Sequence, residues 1–242
     1  MLSHVVAVLA EIVDEVVVVS SADLELPELE ARVVMDRAPA LGPLAGIREG
    51  LAAIEADLAY VTSVDSPFLT PHFVRTMLSF GTAAAAEVEG YVQTLSAVYP
   101  RSALPAAEEL LAAKRMRPLF LLEAADYRTV TEAELPGQRA WRGFNTPEQY
   151  LEAVREAFGE TTAHLEVVGR ARLALGREVM EVPVGTLAEV LACTRPSLEL
   201  LDGERVASPY LVSLDGRDLV RDARVPIGPG ERVIVIDAQA GG

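Results

Sequence analysis

Four consecutive valines at positions 16–19 constrain this chain more than any other feature. Valine is branched at Cβ, which stiffens the side chain and favours an extended backbone. A run with no polar position leaves no face for water, so this strand has to be covered on both sides. Strands of that kind sit in sheets sandwiched between helices, and the neighbouring sequence supplies the helices. Residues 3–13 and 44–56 carry apolar side chains at helical spacing, and Thr70 followed by Pro71 opens a third helix over 70–80. Residues 32–36 (RVVMD) and 58–65 (LAYVTSVD) read as two more strands, each ending in a carboxylate. Strands alternating with helices predict an α/β domain built on a mostly parallel sheet.

The pattern continues through strands at 83–89 and 91–99 around Gly90, a helix at 102–113, a strand at 128–132 and a helix at 146–158. Residues 159–163 (GETTA) read as a linker, which predicts domains at 1–159 and 160–242. Beyond the linker the grammar changes. Strands are expected at 164–168 and 179–184, separated by a turn containing Gly176, then a short helix at 187–192 and strands at 210–214 and 232–237. Turn pairs such as Asp202-Gly203, Asp215-Gly216 and Pro229-Gly230 punctuate this part. A strand pair, a helix and further strands in so short a span predict a small α+β ubiquitin-like roll.

Half of the 242 residues are hydrophobic, so each domain can bury a core. No apolar run approaches the roughly 20 residues of a membrane helix. The start lacks the basic and apolar regions of a secretory signal. The single cysteine, Cys193, excludes an internal disulfide and is expected to be a small buried residue. These features predict a cytoplasmic protein. A formal net charge of −15 argues against nucleic acid as a partner, because a phosphate backbone would be repelled. The only lysine, Lys114, lies in a basic cluster with Arg115 and Arg117.

In an open α/β sheet, ligands lie beyond the C-terminal ends of the strands. Asp36 and Asp65 fall at two such ends. Between them, Gly42, Pro43 and Leu44 open a helix, where free N–H groups and the absence of a Cβ let a ligand approach the backbone. Asp65, followed by Ser66-Pro67, is placed to hold Mg²⁺, which takes one or two carboxylates together with phosphate oxygens.

These residues in this order resemble the molybdenum cofactor guanylyltransferase family: Asp36, then GPLAGI at 42–47, then VDSPFL at 64–69. The resemblance extends through QTLSAVYPRSALPAAEELL at 93–111 to GFNTPEQY at 143–150. It implies a Rossmann-like nucleotidyltransferase sheet of the nucleotide-diphospho-sugar transferase type. It also implies transfer of GMP from GTP to molybdopterin carrying molybdenum. Asp65 would then be the catalytic Mg²⁺ ligand, Asp36, Gly42, Pro43 and Leu44 would bind the nucleotide, and Asn145 would lie near the pterin substrate. Members of that family open with a strand and a Gly-rich loop followed by a lysine; here the first residues correspond to the helix after that loop. The strand at 16–19 is therefore expected to have an unpaired edge. Either the natural start lies upstream, or the domain is an inactive scaffold.

The chain ends in Gly241-Gly242 directly after a strong strand, and 164–242 resembles the small subunit of molybdopterin synthase, most closely over 169–192. That resemblance implies a β-grasp sulfur carrier. An adenylating enzyme would activate the Gly242 carboxylate, and the carrier would deliver sulfur inside the synthase large subunit.

Overall fold

The computed structural model describes residues 1–38, 41–135 and 139–237, arranged as two compact units, Met1–Gly143 and Phe144–Gly242. The helix that starts after Thr146 lies in the second unit, whereas the sequence had placed it at the end of the first.

The first unit contains α1 (Leu2–Ala10), β1 (Val17–Ser20), β2 (Arg32–Met35), α2 (Pro43–Ala53), β3 (Leu58–Thr62) and α3 (Pro71–Ser79), followed by β4 (Ala84–Val88), β5 (Tyr91–Pro100), α4 (Leu104–Ala112), α5 (Leu119–Ala124) and β6 (Arg128–Thr131). Helix α3 begins as its sequence predicts: the Thr70 hydroxyl accepts the Phe73 N–H at 3.2 Å, and Pro71 occupies the first turn, where no N–H is needed. The strands form two separate sheets. β1 pairs with β2 in parallel; the other sheet has the order β3-β5-β4-β6, with β5 antiparallel to both its neighbours. The sheet is therefore more mixed than the expected parallel one.

The larger sheet separates two apolar layers. Leu58 and Tyr60 of β3 join the layer of α1 and α3, where Phe73 and Met77 are fully buried. Ala59 and Val61 join the opposite layer, with Leu44, Leu51 and Tyr99. Alternate residues of a strand point to opposite faces, so helices cover both sides. Between β1 and β3 lies a cavity of about 680 Å³, lined by both strands and by α2. Among the described residues, the edges of β1 and β3 that border it have no strand partner.

The second unit contains α6 (Pro147–Phe158), β7 (Thr162–Val168), α7 (Arg170–Leu175), β8 (Val179–Pro183), β9 (Gly185–Thr186) and α8 (Leu187–Ala192), followed by β10 (Leu201–Asp202), β11 (Arg205–Val206), β12 (Tyr210–Leu214), β13 (Asp218–Val220), β14 (Pro226–Ile227) and β15 (Arg232–Asp237). Its main sheet has the order β13-β12-β15-β7-β8, and β15 and β7 run parallel at the centre. Every second residue of β7 (Ala163, Leu165, Val167) and of β15 (Val233, Val235) points inward, and Leu187, Val190 and Leu191 of α8 pack among them. The Thr186 hydroxyl and the Glu189 carboxylate close a reciprocal capping box at the start of α8. Helix α7 stands where the sequence suggested only a turn.

Candidate functional site

Two loops at strand ends build the site in the first unit. At the end of β2, the Asp36 N–H donates to the Ser20 carbonyl at 2.8 Å, tying β2 to the last residue of β1. The Asp36 carboxylate accepts the Ala38 N–H at 2.8 Å, which starts the turn toward α2. Gly42 is the N-cap of α2 with φ +76°, a backbone state that a side chain disfavours. No side chain caps this helix; its exposed Pro43 brings no N–H to the first turn, and the Ala45 N–H is taken by the Gly42 carbonyl at 3.1 Å. Leu44 is different. It is fully buried in the core, so it can offer a nucleotide only its backbone.

The second loop follows β3. That strand ends at Thr62, and Asp65 lies in the turn beyond it rather than on the strand end itself. The turn is anchored from three sides. The buried Ser66 hydroxyl meets Thr62 Oγ1 at 3.2 Å and Ser63 Oγ at 3.3 Å. The Pro67 carbonyl meets His4 Nε2 at 3.2 Å. Leu69 is buried in the core. Asp65 itself is half-buried.

Gly143, the last residue of this unit, lies directly against Asp65. A β-carbon on Gly143 would stand 2.7 Å from Asp65 Oδ2 and 2.9 Å from the Asp65 carbonyl oxygen. Beside it, the Arg142 guanidinium lies 5.7 Å from the centre of the Phe68 ring, in the same turn as Asp65. Trp141 packs at 6.1 Å from Phe73 and belongs to the core margin. In the sequence, Gly143 is marked only as the first residue of the GFNTPEQY motif and Arg142 has no assigned role. Only the fold, which returns the end of the unit to the Asp65 turn, reveals them.

The remaining predicted residues fall elsewhere. Asn145 is in the second unit, where its N–H donates to Gln149 Oε1 at 2.8 Å ahead of α6. Gly242 lies outside the described residues. Cys193 is exposed, a correction to the buried position expected for it; it follows the last turn of α8, whose inward face is filled by Val190 and Leu191. Arg115 of the basic cluster stacks over Phe120, 4.1 Å from the ring centre. Among the described residues, no three His, Cys, Asp or Glu side chains converge as a metal site, and no helix is long and apolar enough to cross a membrane.

A mixed sheet covered by helices on both faces, with an acid held in a loop after its edge strand β3, defines a nucleotidyltransferase-like α/β domain. The sequence profile of the MobA-like NTP transferase domain matches residues 1–128, and the chain belongs to that family. The probable molybdenum cofactor guanylyltransferase of Mycobacterium avium is 30% identical over 164 residues, which are 65% of this chain and 81% of that protein. That of Chloroflexus aggregans is 29% identical over 171 residues, 66% of this chain and 82% of its own length. Two solved structures share the fold. An Aquifex aeolicus protein superposes with a TM-score of 0.52 at 22% identity, covering 60% of this chain and 78% of that one. The 2-C-methyl-D-erythritol 4-phosphate cytidylyltransferase of Thermus thermophilus does so with a TM-score of 0.51 at 19% identity, covering 63% and 86%.

Proposed function

We propose that the first unit transfers GMP from GTP to molybdopterin carrying molybdenum. A terminal phosphate oxygen of the pterin attacks the α-phosphorus, the bond to the bridging oxygen breaks, and pyrophosphate leaves. The relatives' names support this reading, and the observation that carries it is the Asp65 carboxylate, fixed in an anchored turn with Gly143 packed against it.

Mg²⁺ fits this donor set as an ion that arrives with the triphosphate, since one protein carboxylate suffices when phosphate oxygens complete the shell. When bound, it neutralises charge on the phosphates. The chain's own residues position the reactants. Asp65 fixes the reaction centre. The exposed backbone at Gly42 and Pro43, with Leu44 behind it, holds the guanosine part, and Asp36 shapes the loop leading to it. Asn145 keeps its assignment to the pterin substrate. Calorimetric titration with GTP and Mg²⁺, with CTP as control, tests this. Selective micromolar binding, about −8 kcal/mol, is expected, and Asp65→Ala abolishes transfer. A folded protein that binds neither nucleotide would overturn the enzyme reading in favour of a scaffold.

We further propose that the second unit is a β-grasp sulfur carrier. Its parallel central pair β7 and β15, with α8 packed on one face, supports this. The Gly242 carboxylate would be adenylated by a partner enzyme, converted to a thiocarboxylate, and used as sulfur donor in the synthase large subunit. Mass spectrometry after incubation with the adenylating enzyme, ATP and a sulfide donor, which displaces AMP from the acyl adenylate, should show one oxygen replaced by sulfur. Sulfur transfer that persists after removal of Gly241 and Gly242 would exclude the assignment.

A further inference from the structure

The turn that carries Asp65 leaves one hydroxyl proton unspent, on Ser63. Ser66 Oγ sits between two other hydroxyls, Thr62 Oγ1 at 3.2 Å and Ser63 Oγ at 3.3 Å. Each hydroxyl has one proton to give and can also accept. The geometry makes Thr62 the donor to Ser66; its other acceptor, the Ser63 carbonyl, is farther away at 3.5 Å. Ser66 is only 2% exposed, so its own proton cannot be left to water and needs an acceptor within the turn. The contact with Thr62 already carries the Thr62 proton, so Ser66 donates to Ser63 Oγ. The hydrogen bonds therefore run one way, from Thr62 through Ser66 to Ser63.

The start of this chain is rigid. Thr62 is the last residue of β3 and pairs with Ser96 of β5, whose buried hydroxyl meets Tyr60 Oη at 2.8 Å. Its end is open. Ser63 is half-buried, and among the described residues its proton meets no acceptor. The result is a donor held in place at the rim of the turn, two residues before Asp65. Beside a carboxylate that gathers a cation with its phosphates, the acceptor for such a donor is a phosphate oxygen, and a hydrogen bond to an oxyanion is among the stronger kinds. A neutral donor also suits the place, since a cationic side chain there would pair with Asp65 and compete with Mg²⁺.

We propose that the Ser63 hydroxyl, aimed by Thr62 and Ser66, donates to a phosphate oxygen of the bound nucleoside triphosphate. The inference rests on the transferase reading and adds to it a second binding residue in the same turn. Asp65 addresses the phosphates through the cation, whereas Ser63 touches them directly.

Calorimetric titration of the full chain tests this with GTP at saturating Mg²⁺ and with guanosine. Ser63→Ala deletes the hydroxyl; Ser63→Cys keeps the size of the side chain and offers only a weak donor. Both variants are expected to weaken GTP binding about tenfold or more, the scale of a hydrogen bond to a charged group. The affinity for guanosine, and the Mg²⁺ concentration that gives half-maximal GTP binding, are expected to stay at the wild-type values. Wild-type affinity for GTP in either variant would overturn the proposal. So would an equal loss for guanosine or a raised Mg²⁺ requirement, because the substitution would then act by disturbing the turn and Asp65. A folded wild-type chain that binds no GTP would remove the transferase reading and this inference together, a result distinct from variants that bind as well as the wild type.

Discussion

Gly143 and Asp65 meet so closely that a β-carbon on the glycine would lie 2.7 Å from the Asp65 carboxylate oxygen, inside contact distance. The contact also involves the Asp65 backbone, so no rotation of the Asp65 side chain alone relieves it. Gly143→Ala should push the whole turn away. Overpacking of this kind costs about 1–3 kcal/mol. The variant should melt several degrees lower and lose guanylyl transfer by more than the stability loss accounts for. Full activity at the wild-type melting temperature would show that the contact places no demand on the reaction.

Asp65→Asn keeps the shape of the side chain and removes its charge. The turn is held by Ser66, Pro67 and Leu69, so the fold should survive. Transfer should fall on the order of 100-fold or more, the scale set by removing one transition-state-stabilising group. Circular dichroism and a single-turnover assay on the same sample separate the two effects.

Leu44 belongs to the GPLAGI motif, but its side chain is fully buried. Leu44→Ala should cost about 2–5 kcal/mol in urea unfolding. The preference for GTP over CTP, measured by calorimetry, should not change. A shift in that preference with little loss of stability would return the side chain to the nucleotide.

In the second unit, side-chain hydrogen bonds from Arg224 hold the Asp222 carboxyl down at about 2, and the Arg224 backbone N–H assists. The unfolded value is about 3.9. A carboxyl whose pKa is lower in the folded state stabilises above the unfolded value, and that contribution disappears as pH falls from about 4 to about 2. The pair is exposed, so the effect is small. Asp222→Asn should lower the urea midpoint at about pH 6 and leave it nearly unchanged at about pH 2. A midpoint difference that persists at the acid end would point to packing instead.

Much of the fold is legible because it is locally encoded. The valine run, the Thr-Pro helix starts at 70–71 and 146–147 and the hairpin at Gly90 are all read from neighbours in sequence, and all appear. Helix α5 was missed because six residues between Pro118 and Ala125 carry too little periodicity to stand out from a loop. Helix α7 was missed for a similar reason: a single helical turn and a half closes on Gly176 in the left-handed conformation, and only the glycine announced itself. The short strands β9, β10, β11 and β14 exist through their partners and have no pattern of their own.

The candidate site divides the same way. Asp36, Gly42 and Asp65 could be found because acids and glycines at strand ends follow a rule. Gly143 and Arg142 could not, since their relation to Asp65 depends on the chain folding back at the end of the unit. The cavity beside β1 is likewise a property of two strands that do not touch. Cys193 was misjudged because a cysteine's exposure depends on which way the last turn of α8 faces, and composition does not report that.

The division of the first unit into two hydrogen-bonded sheets has a consequence for how it comes apart. Among the described residues, β1 and β2 pair as strands only with each other, and they lean on the remainder chiefly through α2, where Gly50 faces the Val19 side chain. The four-stranded sheet, by contrast, is stitched through the long β5. The two-stranded leaf therefore forms a weaker cooperative block than the body it rests against. Under mild denaturant it should peel off first, leaving a partly unfolded species with its hairpin intact. Unfolding of this unit is then a sequence of two losses, and a single free energy fitted to the whole transition would understate the stability of the body and overstate that of the leaf.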